Sequence, residues 1–261
     1  MTDTTTTETP LNGEDFGEPY IKALMEQTAD GVFLEDQVLT PKLQRYLCPL
    51  RGKRGVDLGC GYGMNTRRIR LLDCPDSGAD SCNEVEMIGI DHSEEMLRHA
   101  TKLTDPALGI EYLMMSAAQL RFPDQSFDFA TSAFVLENMP DQVVRDGFHE
   151  AFRVLKPGGR FVVAMVHPTW FLMVSGRKDI DPLERYRRYG KLHVVITEQT
   201  ADHTYTRNYR PLEWYINKAV DAGFALHRIK DLAIPDVPEL PAKYHAKRGF
   251  PVFCLMVLDR K

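Results

Sequence analysis

No apolar run in this 261-residue chain reaches the length of about 20 residues that a membrane-spanning helix needs, so no membrane partner is expected. A basic excess is also missing. Thirty-two Lys and Arg stand against 37 Asp and Glu, a formal charge of −5, so no global positive field attracts a phosphate backbone and nucleic acid is not an expected partner. Cysteine is sparse: five residues, with no CxxC pair and no histidine beside them in ligand spacing, which argues for reduced thiols and no metal. Cys74 and Cys82 share the polar loop DCPDSGADSCNE and could pair or share a metal; two loop thiols is the plainer reading. The opening MTDTTTTETPLNGED has neither a basic segment nor an apolar run, so a frayed leader over 1–18 and a cytoplasmic location are expected.

What is present is the material of a globular domain. With 43 % hydrophobic and 26 % charged residues, the chain can bury a core, and its length suits one α/β unit with insertions, spanning 19–261. Apolar residues from Tyr20 to Leu47 recur at helical spacing, predicting two helices broken near Gly31. Five short apolar segments follow, RGVDLG, VEMIGID, IEYLMMS, FDFATSAFVL and RFVVAMV, separated by helical text. Ser93 is placed to cap one of these helices, with Glu94 and Glu95 in its first turn. After an interruption the pattern resumes with PLEWYINKAVDAGF, ALHRIKDL and FPVFCLMVLD. Alternation of this kind predicts a doubly wound, mainly parallel sheet with helices on both faces. The arginines at 67, 68 and 70 and at 185, 187 and 188 could form anion sites, although solvated helix faces are the commoner use.

The chemistry concentrates in VDLGCGYGMNT, residues 56–66, where Gly59, Gly61 and Gly63 follow Asp57. A dinucleotide turn needs G-x-G-x-x-G, but counting from Gly59 the third position is Met64 and from Gly61 it is Thr66. The Gly-Lys-Ser/Thr ending of a P-loop is absent as well. D-x-G-x-G-x-G, followed in order by GID ending at Asp91, by SAAQLRFPDQSFDFATSAFVLENMPD and by LKPGGRFVV, resembles the class I S-adenosylmethionine-dependent methyltransferases, in particular small-molecule enzymes with a type-11-like domain. The resemblance covers about residues 50 to 170. It implies a Rossmann-like seven-stranded sheet, S-adenosyl-L-methionine as cofactor, and cofactor contacts from Tyr20, Asp57, Gly59, Cys60, Gly61, Gly63, Asp91, His92, Met96, Ser116, Ala117 and Ala133. Asp57 suits a cationic ligand that carries a sulfonium and an ammonium, and Asp91 is expected to accept both ribose hydroxyls. Met96 either packs under adenine or faces the core, and His92 either lies along the nucleoside or is solvated. Ser116 stands where many relatives have an acid, so the adenine contact falls to the backbone at Ala117 or is weaker.

The acceptor is expected at the carboxyl edge of the sheet, among Phe134, Asn138 and Trp170, with Tyr205 and Tyr209 from an insertion over 168–210 that reads as a hairpin lid. His167 and Glu137 are the candidate bases; the alternatives are a loop-bonded histidine and a helix N-terminal acid. Tyr20 and the helices over 19–50 are read as a second lid, or as packing on the sheet edge, and a swapped helix would make a homo-oligomer. The resulting expectation is methyl transfer to a small-molecule acceptor, with secondary metabolites included, at O, N or C. A protein or RNA methyltransferase and a non-catalytic cofactor-binding protein are the alternatives.

Overall fold

The computed structural model describes residues 33–74, 85–170, 194–199 and 204–261. The leader, Tyr20, Cys82 and the arginines at 185–188 lie outside these residues. A π-helical turn, Glu35–Leu39, runs into α1, Thr40–Leu47, where Pro41 takes an N-terminal position that tolerates its missing N–H. Next come β1 (Arg54–Leu58), α2 (Met64–Arg70), β2 (Glu86–Asp91) and α3 (Glu94–Leu103). The Ser93 side chain caps α3 as expected, accepting the Met96 N–H at 3.3 Å. β3 (Glu111–Met114), β4 (Phe127–Ala133), α4 (Asp141–Val154) and β5 (Leu155–Val166) complete the alternating half. The remainder holds β6 (Val194–Gln199), β7 (Thr204–Tyr209), α5 (Leu212–Asp221), β8 (Ala225–Ala233) and β9 (Pro251–Asp259).

Among the described residues seven strands form one sheet in the order β3-β2-β1-β4-β5-β9-β8. The first five are parallel, while β9 runs antiparallel between β5 and β8. The expected α/β class with helices on both faces is therefore observed. Its strand order reverses between β1 and β4, and open α/β sheets bind ligands beyond the carboxyl ends of the strands at such a point. β6 and β7 pair antiparallel as a separate hairpin, and β7 runs beside the short turn Leu136–Asn138.

Two apolar clusters cover the two sheet faces. Phe127, Phe148, Phe161 and Tyr215 lie in one, with α4 and α5. Leu43, Leu47, Ile69, Met87 and Leu255 lie in the other, with α1 and α2. Each such side chain, fully buried, contributes about 1.5–3 kcal/mol. The helix over 40–47 is thus a core element on the sheet, while the turn leading into it supplies Glu35 to the cavity described below.

Three local expectations are corrected. Cys74 is bonded to Cys48, joining the end of α1 to the chain after α2, so it is not a free loop thiol; Cys60 and Cys254 are the free cysteines among the described residues. The arginines of α2 are not a solvated face. Arg67 donates to the Tyr62 carbonyl at 2.8 Å, Arg68 pairs with Glu35 and Asp36, and Arg70 donates to the Leu108 carbonyl. Finally, β4 stops at Ala133 because Phe134 turns into the left-handed region at φ 62°, where its N–H still reaches the Ala164 carbonyl at 2.8 Å.

Candidate functional site

A cavity of about 400 Å³ sits beyond the carboxyl ends of β1, β2, β3 and β4. Gly59, Cys60, Gly61, Tyr62, Met64 and Asn65 line it from the turn after β1, and Asp91, His92, Ser93 and Met96 from the turn after β2. Ser116 and Ala117 follow β3, Ala133 ends β4, and Phe134, Val135, Asn138, Met139, Pro140 and Val143 follow it. Glu35 comes from the turn before α1. The structure thus brings together nine of the expected cofactor positions, Gly59, Cys60, Gly61, Asp91, His92, Met96, Ser116, Ala117 and Ala133, with Phe134 and Asn138 of the expected acceptor set.

The three glycines do different work. Gly59 and Gly63 are fixed by protein neighbours: a Cβ would fall 2.4 Å from Val135 Cγ1 at the first and 2.3 Å from the Tyr112 hydroxyl at the second. Gly63 precedes α2 and does not line the cavity. Gly61 has φ 54° and no protein atom within 4 Å of where a Cβ would sit, and it borders the cavity. Its N–H donates to Asp91 Oδ2 at 2.9 Å, while the Ser93 N–H donates to Asp91 Oδ1 at 3.0 Å. Two backbone donors therefore fix a carboxylate that is 8 % exposed at the cavity wall, and each oxygen keeps a further lone pair for a ligand. His92 Nδ1 lies 3.5 Å from the same carboxylate, with the ring half-exposed.

Asp57 is placed differently from the expectation. It lies buried beneath the turn, where Oδ2 accepts the Thr66 hydroxyl at 2.6 Å and Oδ1 the Thr131 hydroxyl at 2.8 Å, bracing β1 to α2 and β4. Burial pushes its carboxyl above the usual range, against the two hydroxyl bonds, with the Asp91 charge adding to the rise. Asp57 supports the glycine turn from beneath and does not line the cavity.

Burial, with the charges of Asp91 and Asp57, holds the Cys60 thiol well above its ordinary value, so it sits in the cavity wall as a neutral thiol. Burial also raises Glu35, in spite of the Arg68 guanidinium beside it.

Neither candidate base lines the cavity. His167, at the end of β5, has both ring nitrogens engaged: Nδ1 accepts the Thr169 N–H at 3.0 Å, and Nε2 lies 3.2 Å from Asp231. Glu137 is buried, and its Oε1 accepts the Val166 N–H at 3.2 Å. Trp170 also lies elsewhere, packed on Phe250 at 5.8 Å and under the Lys247 ammonium. Tyr205 and Tyr209 are in β7, whose backbone alone is described.

Missed in the sequence were Glu35, Tyr62, Met64, Asn65, Ser93, Val135, Met139, Pro140 and Val143. Most adjoin a recognised motif and were open to inference from it. Glu35 carries no local signal, because its position depends on Arg68, 33 residues away.

The cavity fits S-adenosylmethionine on its own terms. Gly61, with no Cβ, lines the cavity, an acid fixed by two backbone N–H groups stands one strand over, and Met96 and Ala117 offer apolar surface for a flat base. Residues 56–163 match a family model described as a methyltransferase domain. An S-adenosylmethionine dependent methyltransferase from Mesorhizobium loti, of solved structure, is 28 % identical over 84 % of this chain and 96 % of its own, with a TM-score of 0.60. A demethylmenaquinone methyltransferase from Bacillus licheniformis is 35 % identical over 113 residues, 43 % of this chain and 44 % of that protein. An uncharacterized 37.1 kDa protein in transposon TN4556 of Streptomyces fradiae is 30 % identical over 175 residues, 67 % of this chain and 44 % of that one. The chain spans less than half the length of these two sequence relatives. With the strand order and the glycine-turn cavity agreeing, residues 56–163 form a methyltransferase domain on the class I fold of S-adenosylmethionine-dependent methyltransferases.

Proposed function

We propose that this protein transfers a methyl group from S-adenosylmethionine to a small, largely apolar acceptor at O, N or C by in-line displacement. The observation that carries the reading is one continuous cavity with two kinds of wall. Asp91 and the Gly61 turn form a polar nucleoside side, whereas Phe134, Val135, Met139, Pro140 and Val143 form an apolar side with Asn138 among them.

When bound, the cofactor supplies a methyl group already activated by its sulfonium. The task left to the chain is to hold the acceptor in line and keep water out, and orientation of this kind lowers barriers by about 7–11 kcal/mol in favourable cases. Phe134 is suited to that work. Its left-handed backbone costs about 1–3 kcal/mol, and packing on Phe253 at 4.8 Å holds the ring in place. Asn138 donates Nδ2 to the Phe134 carbonyl at 3.0 Å, which locks its amide and leaves Oδ1 to accept a bond from an acceptor hydroxyl or amine.

Among the described residues, the ionisable carboxylates and imidazole on the cavity are Glu35, Asp91 and His92, none of them on the wall after β4. The reading is therefore transfer by positioning, to an acceptor whose own acidity or lone pair makes it nucleophilic. The demethylmenaquinone methyltransferases among the relatives favour a flat, apolar ring as the acceptor class. No helix among the described residues is long and apolar enough to cross a membrane.

The test is incubation of the protein with methyl-labelled S-adenosylmethionine and a metabolite extract divided by size. A labelled product of low molecular mass is expected. Label entering protein or RNA alone, or S-adenosylhomocysteine binding without turnover on any fraction, would overturn the proposal.

A further inference from the structure

The bulkiest fully buried side chain among the described residues is an arginine. Arg210 follows β7 directly and precedes α5, and its side chain is 0 % exposed. Burying a guanidinium is costly unless every donor is met. Here all five are. Nε lies 2.8 Å from Asp141 Oδ1; Nη2 meets the same carboxylate at 2.8 Å and the Met139 carbonyl at 2.6 Å. Nη1 donates to the Leu136 carbonyl at 3.1 Å and more weakly to the Tyr215 hydroxyl at 3.4 Å. The plane also lies over the Trp214 ring at 4.8 Å.

The partners lie where the function needs them. Leu136 and Met139 bracket the short turn after β4, and Asp141 opens α4. Phe134, Val135, Asn138, Met139 and Pro140, the apolar wall of the cavity, belong to that same stretch. β7 runs beside the turn and ends one residue before Arg210. One planar group thus joins the end of the hairpin, the start of α5 and the wall.

We propose that Arg210 is the positioning residue of the acceptor wall, fixing the backbone at Leu136 and Met139 and linking it to the hairpin strand β7. This rests on reading that wall as the acceptor side. Lysine, with three donors on a point charge, cannot reproduce a five-donor fork. Packing alone would be served by an apolar residue, so the distinguishing consequence is a local one. Loss of the fork frees the wall and the hairpin end while leaving the nucleoside side intact.

The experiment compares wild type, Arg210→Lys, Asp141→Asn and, as control, Tyr215→Phe. Amide hydrogen exchange is followed by mass spectrometry, and affinity for S-adenosylhomocysteine by calorimetry. In Arg210→Lys, exchange at 136–139 and 205–209 is expected to rise at least tenfold, with β1, β2 and β5 unchanged and S-adenosylhomocysteine affinity within twofold of wild type. Asp141→Asn gives a smaller rise in the same segments, and Tyr215→Phe gives none. On an acceptor found with labelled donor, Arg210→Lys raises the acceptor KM at least tenfold while the donor KM stays within twofold. Unchanged exchange in Arg210→Lys, or a rise spread evenly over the chain, overturns the role of Arg210. Wild-type protein that fails to bind S-adenosylhomocysteine overturns the function itself, and the two failures are read from separate measurements.

Discussion

Gly61→Ala and Gly59→Ala add the same methyl group two residues apart, and the structure gives them different consequences. At Gly61 the methyl meets no protein atom within 4 Å, so the fold bears only the cost of a side chain at φ 54°, about 1–2 kcal/mol. For a chain of this size that is a fall of roughly 2–8 °C in Tm. Gly61 also lines the cavity, and a methyl that crowded a bound cofactor there would cost about 1–3 kcal/mol by overpacking, or about 5- to 150-fold in affinity. At Gly59 the methyl collides with Val135 Cγ1 at 2.4 Å, so the overpacking cost falls on the fold in addition to the backbone strain. Thermal unfolding and calorimetric titration with S-adenosylhomocysteine separate the two. Gly61→Ala should lose affinity out of proportion to stability, and Gly59→Ala should lose the more stability. Gly61→Ala with unaltered affinity, or with the same thermal loss as Gly59→Ala, would refute the view that Gly61 has room for a methyl at the cavity wall while Gly59, on the same wall, is closed off by Val135.

Because His167 is bonded through both ring nitrogens outside the cavity, His167→Ala should lower Tm yet leave turnover and S-adenosylhomocysteine affinity within about threefold; a hundredfold loss of turnover at full affinity would restore it as a base. Glu150 holds the Leu120 N–H at 2.6 Å beside the Ser116–Ala117 wall, and the Arg153 hydrogen bond is the main cause of its lowered carboxyl pKa. A lowered value means stability that is present above its ordinary 4.5 and lost as pH falls through the folded-state value. The Tm gap between wild type and Glu150→Gln should therefore be constant from about pH 6 to 8 and close below about pH 4.5; a gap that persists at lower pH contradicts this. Digestion without reductant should yield a Cys48–Cys74 linked peptide by mass spectrometry, and recovery of both as free thiols would rule the bond out.

The α/β alternation and the cavity positions after the first three strands were legible in the sequence because both are local. Apolar segments alternate with helical ones, and the residues right after β1, β2 and β3 fall at the same sheet edge. Legibility ended where a side chain's direction depends on distant partners. Asp57 precedes the glycine turn, yet Thr66 and Thr131 draw its carboxylate beneath the turn. His167 and Glu137 stand at the expected strand ends, but Asp231 and the Val166 N–H engage them instead. Glu35 and Arg210 gain their places from contacts 33 and about 70 residues along the chain, which no local pattern encodes. The Cys48–Cys74 bond is likewise a tertiary fact, since in sequence Cys74 sits closer to Cys82.

Calorimetry of Asp91→Ala with S-adenosylhomocysteine bears on all of this at once. Asp91 is the carboxylate that the Gly61 and Ser93 N–H groups hold at the cavity wall, and two bonds from ribose hydroxyls to it would contribute about 1.5–3 kcal/mol each. Wild type is expected to bind, and the variant to bind roughly 10²- to 10⁴-fold more weakly. Equal affinity in the two proteins, or displacement of S-adenosylhomocysteine from wild type by a dinucleotide, would contradict the assignment of this cavity.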